Sequence, residues 1–152
     1  MEVSMILMKD VMSHPVHTLS TENSLADARK MMQEQGIRHI PVVNAKNKLE
    51  GLVTQRDVFA AMDSSVYDMP PELMEAHESE IPVTQVMRTK VATASLDTPI
   101  RKAAEFLQTK KYGCLPVVEN GHVVGILTGG DFIKIAINLL DLVEVEPEEE
   151  PS

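Results

Sequence analysis

Two short stretches of the sequence place a threonine three residues before an aspartate, directly after an apolar run. They are "GLVTQRD", with Thr54 and Asp57, and "GILTGGD", with Thr128 and Asp131. A threonine at a strand end can cap the following helix, and an aspartate in the first turn suits the helix dipole. The same groups can bind a ligand, because N–H groups and a hydroxyl at a helix start can hold phosphate while a carboxylate accepts both hydroxyls of a ribose. Capping and binding are compatible, and both interpretations stay open.

Other reactive side chains form weaker patterns. His14 and His17 could chelate a metal if another histidine approached, but their spacing matches no recognised metal site, so we predict no metal. Cys114 lies in an apolar run, which favours a buried thiol over a nucleophile, and a single cysteine excludes an internal disulfide. Neither paired carboxylates nor a Ser/His/Asp order argues for catalysis. We therefore expect no catalytic residue and no catalytic cofactor.

The Thr and Asp pairs belong to an internal repeat. "GIRHIPVV" at residues 36–43 returns in outline as "KYGCLPVV" at residues 111–118, an offset of 75 positions. With this offset, and 74 after one residue is lost in a turn, thirteen residues from Val11 to Asp57 fall on identical partners between Val86 and Asp131. A unit of this length that occurs twice indicates two copies of one supersecondary unit, packed with internal pseudo-symmetry.

Each copy is predicted to form a strand, a helix, two strands and a second helix, which gives an α+β fold. Asn23 and Thr98 are the N-cap candidates of the first helices, Pro99 fits a first helical position, and "ENGH" suits a tight hairpin turn. The predicted extended pieces and strands are 16–19, 40–43 and 49–54 in the first copy and 91–94, 115–118 and 123–128 in the second, with second helices at about 56–62 and 131–142. The predicted organisation is a first repeat at 8–63, a linker at 64–81 with a helical turn or two near 72–77, a second repeat at 82–142 and an acidic disordered tail at 143–152.

Composition and charge limit the partners. The formal net charge is −9, and the chain has no Trp and five other aromatic residues. We see no cluster of cations along the sequence, so nucleic acid and anionic membranes are poor candidates. The apolar run near the N-terminus is too short for a signal sequence, and no segment has the length of a membrane span. We expect a soluble, cytoplasmic protein.

The chain resembles a pair of tandem cystathionine-beta-synthase (CBS) domains, often called a Bateman module. The resemblance rests on "VMSHPVHTLS", "RHIPVV" and "LEGLVTQRDV", echoed by "VMRTKVATAS", "GCLPVV" and "VVGILTGGDF", and covers about residues 8–140. It implies two repeats packed sheet to sheet around a pseudo-twofold axis. Two equivalent clefts would then bind AMP, ADP, ATP or S-adenosylmethionine as a regulatory ligand.

The resemblance also implies roles for single residues. Asp57 and Asp131 would hold ribose hydroxyls, and Thr54 and Thr128 would reach ribose or phosphate. Arg38 and His39 stand where family members often carry phosphate-binding cations, whereas the second copy has Gly113 and Cys114 there, so the clefts should differ toward polyphosphates. The residues implied for the adenine are His17, Thr18, Leu19, Ala92, Thr93 and Ala94 along the first strands, with apolar walls from Ile40, Pro41, Leu115 and Pro116.

The leading hypothesis is a non-enzymatic module that senses adenosine-containing ligands, as in cellular energy sensing, and acts in trans on an unknown effector protein. A homodimer is expected, because the second helices carry more apolar residues than one small core can absorb. The main alternative is a ligand-independent dimeric scaffold in which the Thr and Asp pairs only cap helices. A small nucleotide-processing enzyme is a third, more distant alternative.

Overall fold

The structure is a computed structural model that describes residues 5–62 and 69–144. Parts of the predicted linker (64–68) and tail (145–152) lie outside the described residues. The first repeat contains a short helix and strand, a longer helix, a hairpin and a further helix. They are α1 (Met8–Val11), β1 (Leu19–Ser20), α2 (Leu25–Gln35), β2 (His39–Val43), β3 (Leu49–Thr54) and α3 (Gln55–Ala61).

The second half repeats this order after a connecting helix, α4 (Pro71–Ser79), which extends the predicted helical turn near 72–77. A 3-10 turn at Val83–Gln85 occupies the place of α1. The remaining elements are α5 (Ile100–Lys110), β4 (Cys114–Glu119), β5 (His122–Thr128) and α6 (Gly129–Val143). Because α6 continues to Val143, the first residue assigned to the tail belongs to a helix. None of the helices in the described ranges is long and apolar enough to cross a membrane.

The two hairpins confirm the strand pairs expected from the sequence. β2 and β3 pair antiparallel from His39 with Thr54, and β4 and β5 do so from Cys114 with Thr128. The second turn has positive φ at Asn120 (53°) and Gly121 (82°), as the Asn-Gly hairpin signal requires. The α+β fold with two repeats is therefore as predicted.

The first strands are shorter than predicted. In the first repeat only Leu19–Ser20 form a strand, which pairs parallel with β2. In the second repeat the extended piece makes a single bridge between Ala94 and Val117. Short parallel pairing of this kind provides few hydrogen bonds, so the sequence pattern marks an extended backbone more reliably than a strand.

The predicted helix caps are displaced by one residue. Ser24, not Asn23, caps α2: its hydroxyl accepts the Asp27 N–H at 3.2 Å. The side-chain oxygen Oδ1 of Asn23 is used one turn earlier, where it accepts the Ser20 N–H at 2.7 Å. Thr98 likewise accepts the Ser95 N–H instead of capping, and Pro99 precedes α5 as its N-cap residue. Each side chain accepts a hydrogen bond from a backbone N–H of the turn before the helix, so the next residue becomes the N-cap.

The repeats exchange their N-terminal segments. Met8 is fully buried in the core of the second repeat, and its N–H donates to the Thr98 carbonyl at 2.9 Å. In the mirror arrangement Val83 is fully buried in the core of the first repeat, and its N–H donates to the Asn23 carbonyl at 2.8 Å. Each core is thus completed by a segment from the other half of the chain, and the two repeats are held together as one structure.

Candidate functional site

The segment exchange creates two clefts with related walls. After the Met8 and Val83 turns, each chain segment crosses to the hairpin of the other repeat: Ser13 bridges to Ile126, and Arg88 bridges to Leu52. Each cleft therefore combines a helix start from one repeat with an extended segment from the other. Cleft 1 has a volume of about 390 Å³ and is lined by Arg38, His39, Leu52, Thr54, Gln55, Arg56, Arg88, Lys90, Val91, Ala92, Lys111, Tyr112, Gly113 and Cys114. Cleft 2 has a volume of about 490 Å³ and is lined by Ser13, Pro15, Val16, His17, Gly36, Ile37, Arg38, His39, Gly113, Ile126, Thr128, Gly129 and Gly130.

The helix start of cleft 1 is a complete capping box. The Thr54 hydroxyl accepts the Asp57 N–H at 3.2 Å, and Asp57 Oδ2 accepts the Thr54 N–H at 3.0 Å. The same carboxylate reaches the other repeat, because Arg88 Nε donates to Asp57 Oδ1 at 3.1 Å. Asp57 therefore joins the two halves of the chain as well as capping α3.

Cleft 2 has a related arrangement with a neutral partner. Asp131 Oδ2 accepts the Thr128 N–H at 2.8 Å, and the Ser13 hydroxyl donates to Asp131 Oδ1 at 2.9 Å. Ser13 and Arg88 are separated by the repeat offset of 75 residues, so the two contacts are pseudo-symmetric. The capping interpretation of both Thr and Asp pairs is confirmed, and in each pair one carboxylate oxygen is held by a side chain at the cleft.

Cleft 1 collects cations that the sequence analysis did not group. Five of the fourteen Lys and Arg residues line it: Arg38, Arg56, Arg88, Lys90 and Lys111. The expectation of no cation cluster is therefore wrong in three dimensions, because these residues come from four separate segments. The only Lys or Arg in the wall of cleft 2 is Arg38.

His39 stands between the two clefts and lines both. A Cβ placed on Gly113 would lie 2.5 Å from its Nε2, so a larger residue at position 113 would displace the ring. Burial lowers the pKa of His39, the Arg38 charge lowers it further, and Asp57 partly opposes both. The imidazole is thus held toward its neutral form. Arg38, His39 and Gly113 form a shared wall, so Arg38 belongs to both clefts.

Burial also governs the single thiol. Cys114 is 4% exposed and is one of the residues that line cleft 1. Removal from water raises its pKa to about 12. The thiol is therefore protonated in the folded protein, which agrees with a structural residue.

The structure brings together part of the predicted site. The cleft walls contain eight of the expected residues: His17, Arg38, His39, Thr54, Ala92, Gly113, Cys114 and Thr128. Asp57 and Asp131 lie directly behind the threonines and contact cleft residues. Leu19, Ile40, Pro41, Ala94, Leu115 and Pro116 are buried and line neither cleft, and Thr18 and Thr93 line neither. Ile40 and Pro41 in β2 and Leu115 and Pro116 in β4, the predicted apolar walls, are buried in the protein, and their contact with a ligand stays a prediction.

Several wall residues were missed. Arg88, Lys90 and Lys111 had no motif to mark them, although the repeat offset places them opposite Ser13, Pro15 and Gly36. Within the described residues, no group of three or more His, Cys, Asp or Glu is arranged to hold a metal ion.

Comparison with known proteins gives a consistent family pattern. The sequence model of the CBS domain matches residues 8–64 and again residues 83–138. A CBS domain-containing protein from Dictyostelium discoideum is 28% identical over 91% of this chain and 96% of its own length. The CBS domain-containing protein YhcV from Bacillus subtilis is 26% identical over 86% and 83%.

Solved structures share the fold along nearly the whole chain. A candidate acetoin utilization protein (AcuB) from Vibrio cholerae is 41% identical, with a TM-score of 0.80 over 95% of this chain and all of that chain. The CBS domain pair of protein MJ0100, solved with 5-methylthioadenosine and S-adenosylmethionine, is 26% identical with a TM-score of 0.74 over 90% and 99%. CBSX2, solved with AMP, is 25% identical with a TM-score of 0.72 over 88% and 97%.

Some relatives are larger enzymes. Homoserine O-acetyltransferase from Methanohalobium evestigatum is 31% identical over 83% of this chain, but the match covers 23% of the enzyme. The similarity therefore concerns about a quarter of that protein.

Proposed function

Because the chain belongs to the CBS domain family, we propose that it is a regulatory module that binds adenosine-containing ligands in its two clefts. The candidates are AMP, ADP, ATP and S-adenosylmethionine, acting as regulatory ligands and not as catalytic cofactors. Two similar domain pairs were solved with ligands of this class. The bound module acts on a partner protein in trans, and it does so without catalysis.

One observation carries the proposal: each cleft joins a Thr–x–x–Asp helix start from one repeat to an extended segment of the other. In cleft 1 these parts are Thr54 with Asp57 and the segment that contains Ala92. The carboxylate holds the ribose hydroxyls, the extended backbone faces the base, and the helix start faces phosphate. A ligand in this position contacts both repeats at once.

The Arg88 contact does not block the ribose position. The Arg88 side chain is 54% exposed, and an exposed ion pair stabilises a protein by only about 0–1 kcal/mol. Two ribose hydroxyls that donate to the Asp57 carboxylate replace this pair at small cost, since hydrogen bonds to a charged group contribute about 1.5–3 kcal/mol. Arg88 is then released toward the phosphates. Asp57 is thus a helix cap that also serves as the acceptor for the ligand.

A ligand that contacts both repeats favours the arrangement in which the repeats lie closest to each other. It shifts an equilibrium only by the difference between its affinities for the two states. The outer surface offers a means of transmission, because Phe59 on α3 and Ile133 and Ile137 on α6 are 59%, 63% and 52% exposed. A homodimer whose interface covers these faces would respond to this shift in the equilibrium. Light scattering that shows only a 16.8 kDa species would exclude the homodimer.

The test uses Asp57→Asn and Asp131→Asn with a matched control. Asparagine keeps an oxygen for the threonine N–H but removes the charge, so we expect affinity for AMP in the affected cleft to fall roughly ten- to 150-fold. Asp27→Asn is the control, because Asp27 has the same capping-box position in α2, outside both clefts. Titration calorimetry measures affinity, and melting temperature measures the stability change.

The alternative is a dimeric scaffold that needs no ligand. Its support is that both aspartates accept the N–H of their threonine, so each pair already has a role in capping a helix. If AMP, ATP, adenosine and S-adenosylmethionine all fail to bind wild type, or if all three Asp→Asn variants lose stability equally and none loses affinity, the scaffold is correct and the sensing proposal is wrong.

A further inference from the structure

The walls of the two clefts match position by position. Applying the repeat offsets of 75 and 74 residues, every residue that lines cleft 2 has a counterpart in the wall of cleft 1. Thr54 corresponds to Thr128, Val91 to Val16 and Tyr112 to Ile37. The clefts are therefore two versions of one site, and any difference in what they bind must come from the side chains that differ.

The largest difference is charge. Four cations of cleft 1 are each replaced in cleft 2 by a residue without charge. The pairs are Arg56 with Gly130, Arg88 with Ser13, Lys90 with Pro15 and Lys111 with Gly36. Arg38 lines both clefts, so cleft 1 has five Lys or Arg residues and cleft 2 has one.

Within the described residues, four of these five cations form no ion pair. Among the described residues Arg88 pairs with Asp57, whereas Arg38, Arg56, Lys90 and Lys111 make no salt bridge. Among the described residues, no Asp or Glu is part of the cleft 1 wall, and the Asp57 carboxylate reaches this wall through its contact with Arg88. Five cations around one cleft repel each other, and a bound polyanion removes that repulsion, especially in a chain whose net charge is −9.

We infer that the two clefts sort ligands by charge: cleft 1 binds a nucleoside di- or triphosphate, and cleft 2 binds an adenosine compound without a phosphate chain. This inference rests on the proposed function. The sequence alone suggested unequal clefts on the basis of Arg38 and His39, but both residues face both clefts. The selectivity comes from Lys90, Lys111 and Arg56 instead.

The shared wall makes the sorting directional. A triphosphate in cleft 1 attracts Arg38, which is the only Lys or Arg of cleft 2. Filling cleft 1 therefore weakens anion binding in cleft 2 and leaves binding of an uncharged ligand there nearly unchanged.

The experiment titrates ATP, inorganic tripolyphosphate and adenosine into four proteins by calorimetry. Lys90→Ala/Lys111→Ala removes two charges from cleft 1. Lys46→Ala/Lys102→Ala removes two charges from exposed positions that line neither cleft. Gly129→Leu fills cleft 2, because a Cβ at Gly129 meets nothing within 4 Å and its φ needs no glycine. The fourth protein is wild type.

We expect the cleft 1 double variant to bind ATP about a hundredfold more weakly, tenfold for each charge-assisted contact, and adenosine within about twofold of wild type. The control double variant should keep its ATP affinity, and Gly129→Leu should keep ATP binding while losing one adenosine site. The inference is overturned if both double variants lose ATP affinity equally, if Gly129→Leu abolishes ATP binding, or if neither ATP nor tripolyphosphate binds. If adenosine fails to bind while tripolyphosphate still depends on Lys90 and Lys111, the proposed function and the cleft 2 half of the inference are wrong, and cleft 1 is an anion site.

Discussion

A partly buried ion pair links the connecting helix to the first repeat. Glu78 of α4 has a side chain only 4% exposed, and its Oε1 accepts from Arg29 Nη1 of α2 at 2.9 Å. Replacing Arg29 by Met keeps the aliphatic length and leaves the buried carboxylate without this partner. Breaking a fully buried pair costs about 3–5 kcal/mol, and an exposed pair contributes about 0–1 kcal/mol. Since Arg29 is 38% exposed, we expect a loss of about 2 kcal/mol.

The assay is urea unfolding of Arg29→Met, Glu78→Leu and the double variant, analysed as a double-mutant cycle. A loss of about 2 kcal/mol corresponds to roughly 4–8 °C in melting temperature for a chain of this size. The double variant should recover much of the loss, because two apolar side chains can replace a buried pair. If Arg29→Met costs less than about 0.5 kcal/mol, or if the double variant is less stable than Arg29→Met, the carboxylate is not held by this contact and the reasoning is refuted.

Three further outcomes follow from glycine, histidine and cysteine environments. Gly51→Ala should lower the free energy of unfolding in urea by about 1–3 kcal/mol, because its Cβ would lie 2.5 Å from Met87 Sδ. Gly129→Ala should leave the free energy of unfolding unchanged or raise it by up to ~1 kcal/mol. Burial lowers the pKa of His39, so on acidification the unfolded chain takes up a proton before the folded protein does. The free energy of unfolding should therefore fall as the pH drops below 6.5, and His39→Asn should flatten this part of the pH profile. Cys114, with its pKa raised to about 12, should react with a thiol reagent at pH 8 only at the rate of unfolding; fast labelling of folded protein would contradict its burial.

The elements could be predicted from sequence because their signals are local. Alternating apolar runs and the Asn120–Gly121 turn fix the hairpins, and the Thr-x-x-Asp spacing marks the starts of α3 and α6. The cap of α2 was misplaced because Asn23 and Ser24 are both good cap residues. The choice depends on Asn23 being used by the Ser20 N–H, which the spacing of residues does not show.

The composition of the clefts could not be predicted, because it depends on the exchange of segments between repeats. Nothing near Arg88 indicates that its guanidinium meets Asp57, 31 residues earlier in the chain. Likewise, Lys111 directly follows α5, and a lysine at the C-terminal end of a helix is already explained by its favourable interaction with the helix dipole. The duplication is the one usable signal, because the repeat offset pairs Arg88 with Ser13 and so shows the unequal charge of corresponding positions.

The exchange of segments also bears on how a bound ligand could be read by another protein. Neither repeat contains a complete cleft, because Thr54 and Ala92 belong to different halves, as do Thr128 and His17. A ligand that binds only the assembled pair stabilises it by an amount that grows with the logarithm of its concentration, about 2.7 kcal/mol at a hundredfold excess over its dissociation constant. In the function proposed above, that free energy stabilises the contact between the two repeats, each of which carries one of the helices α3 and α6. A partner that grips both helices would therefore sense occupancy without touching the ligand, and a partner that grips one helix alone would not.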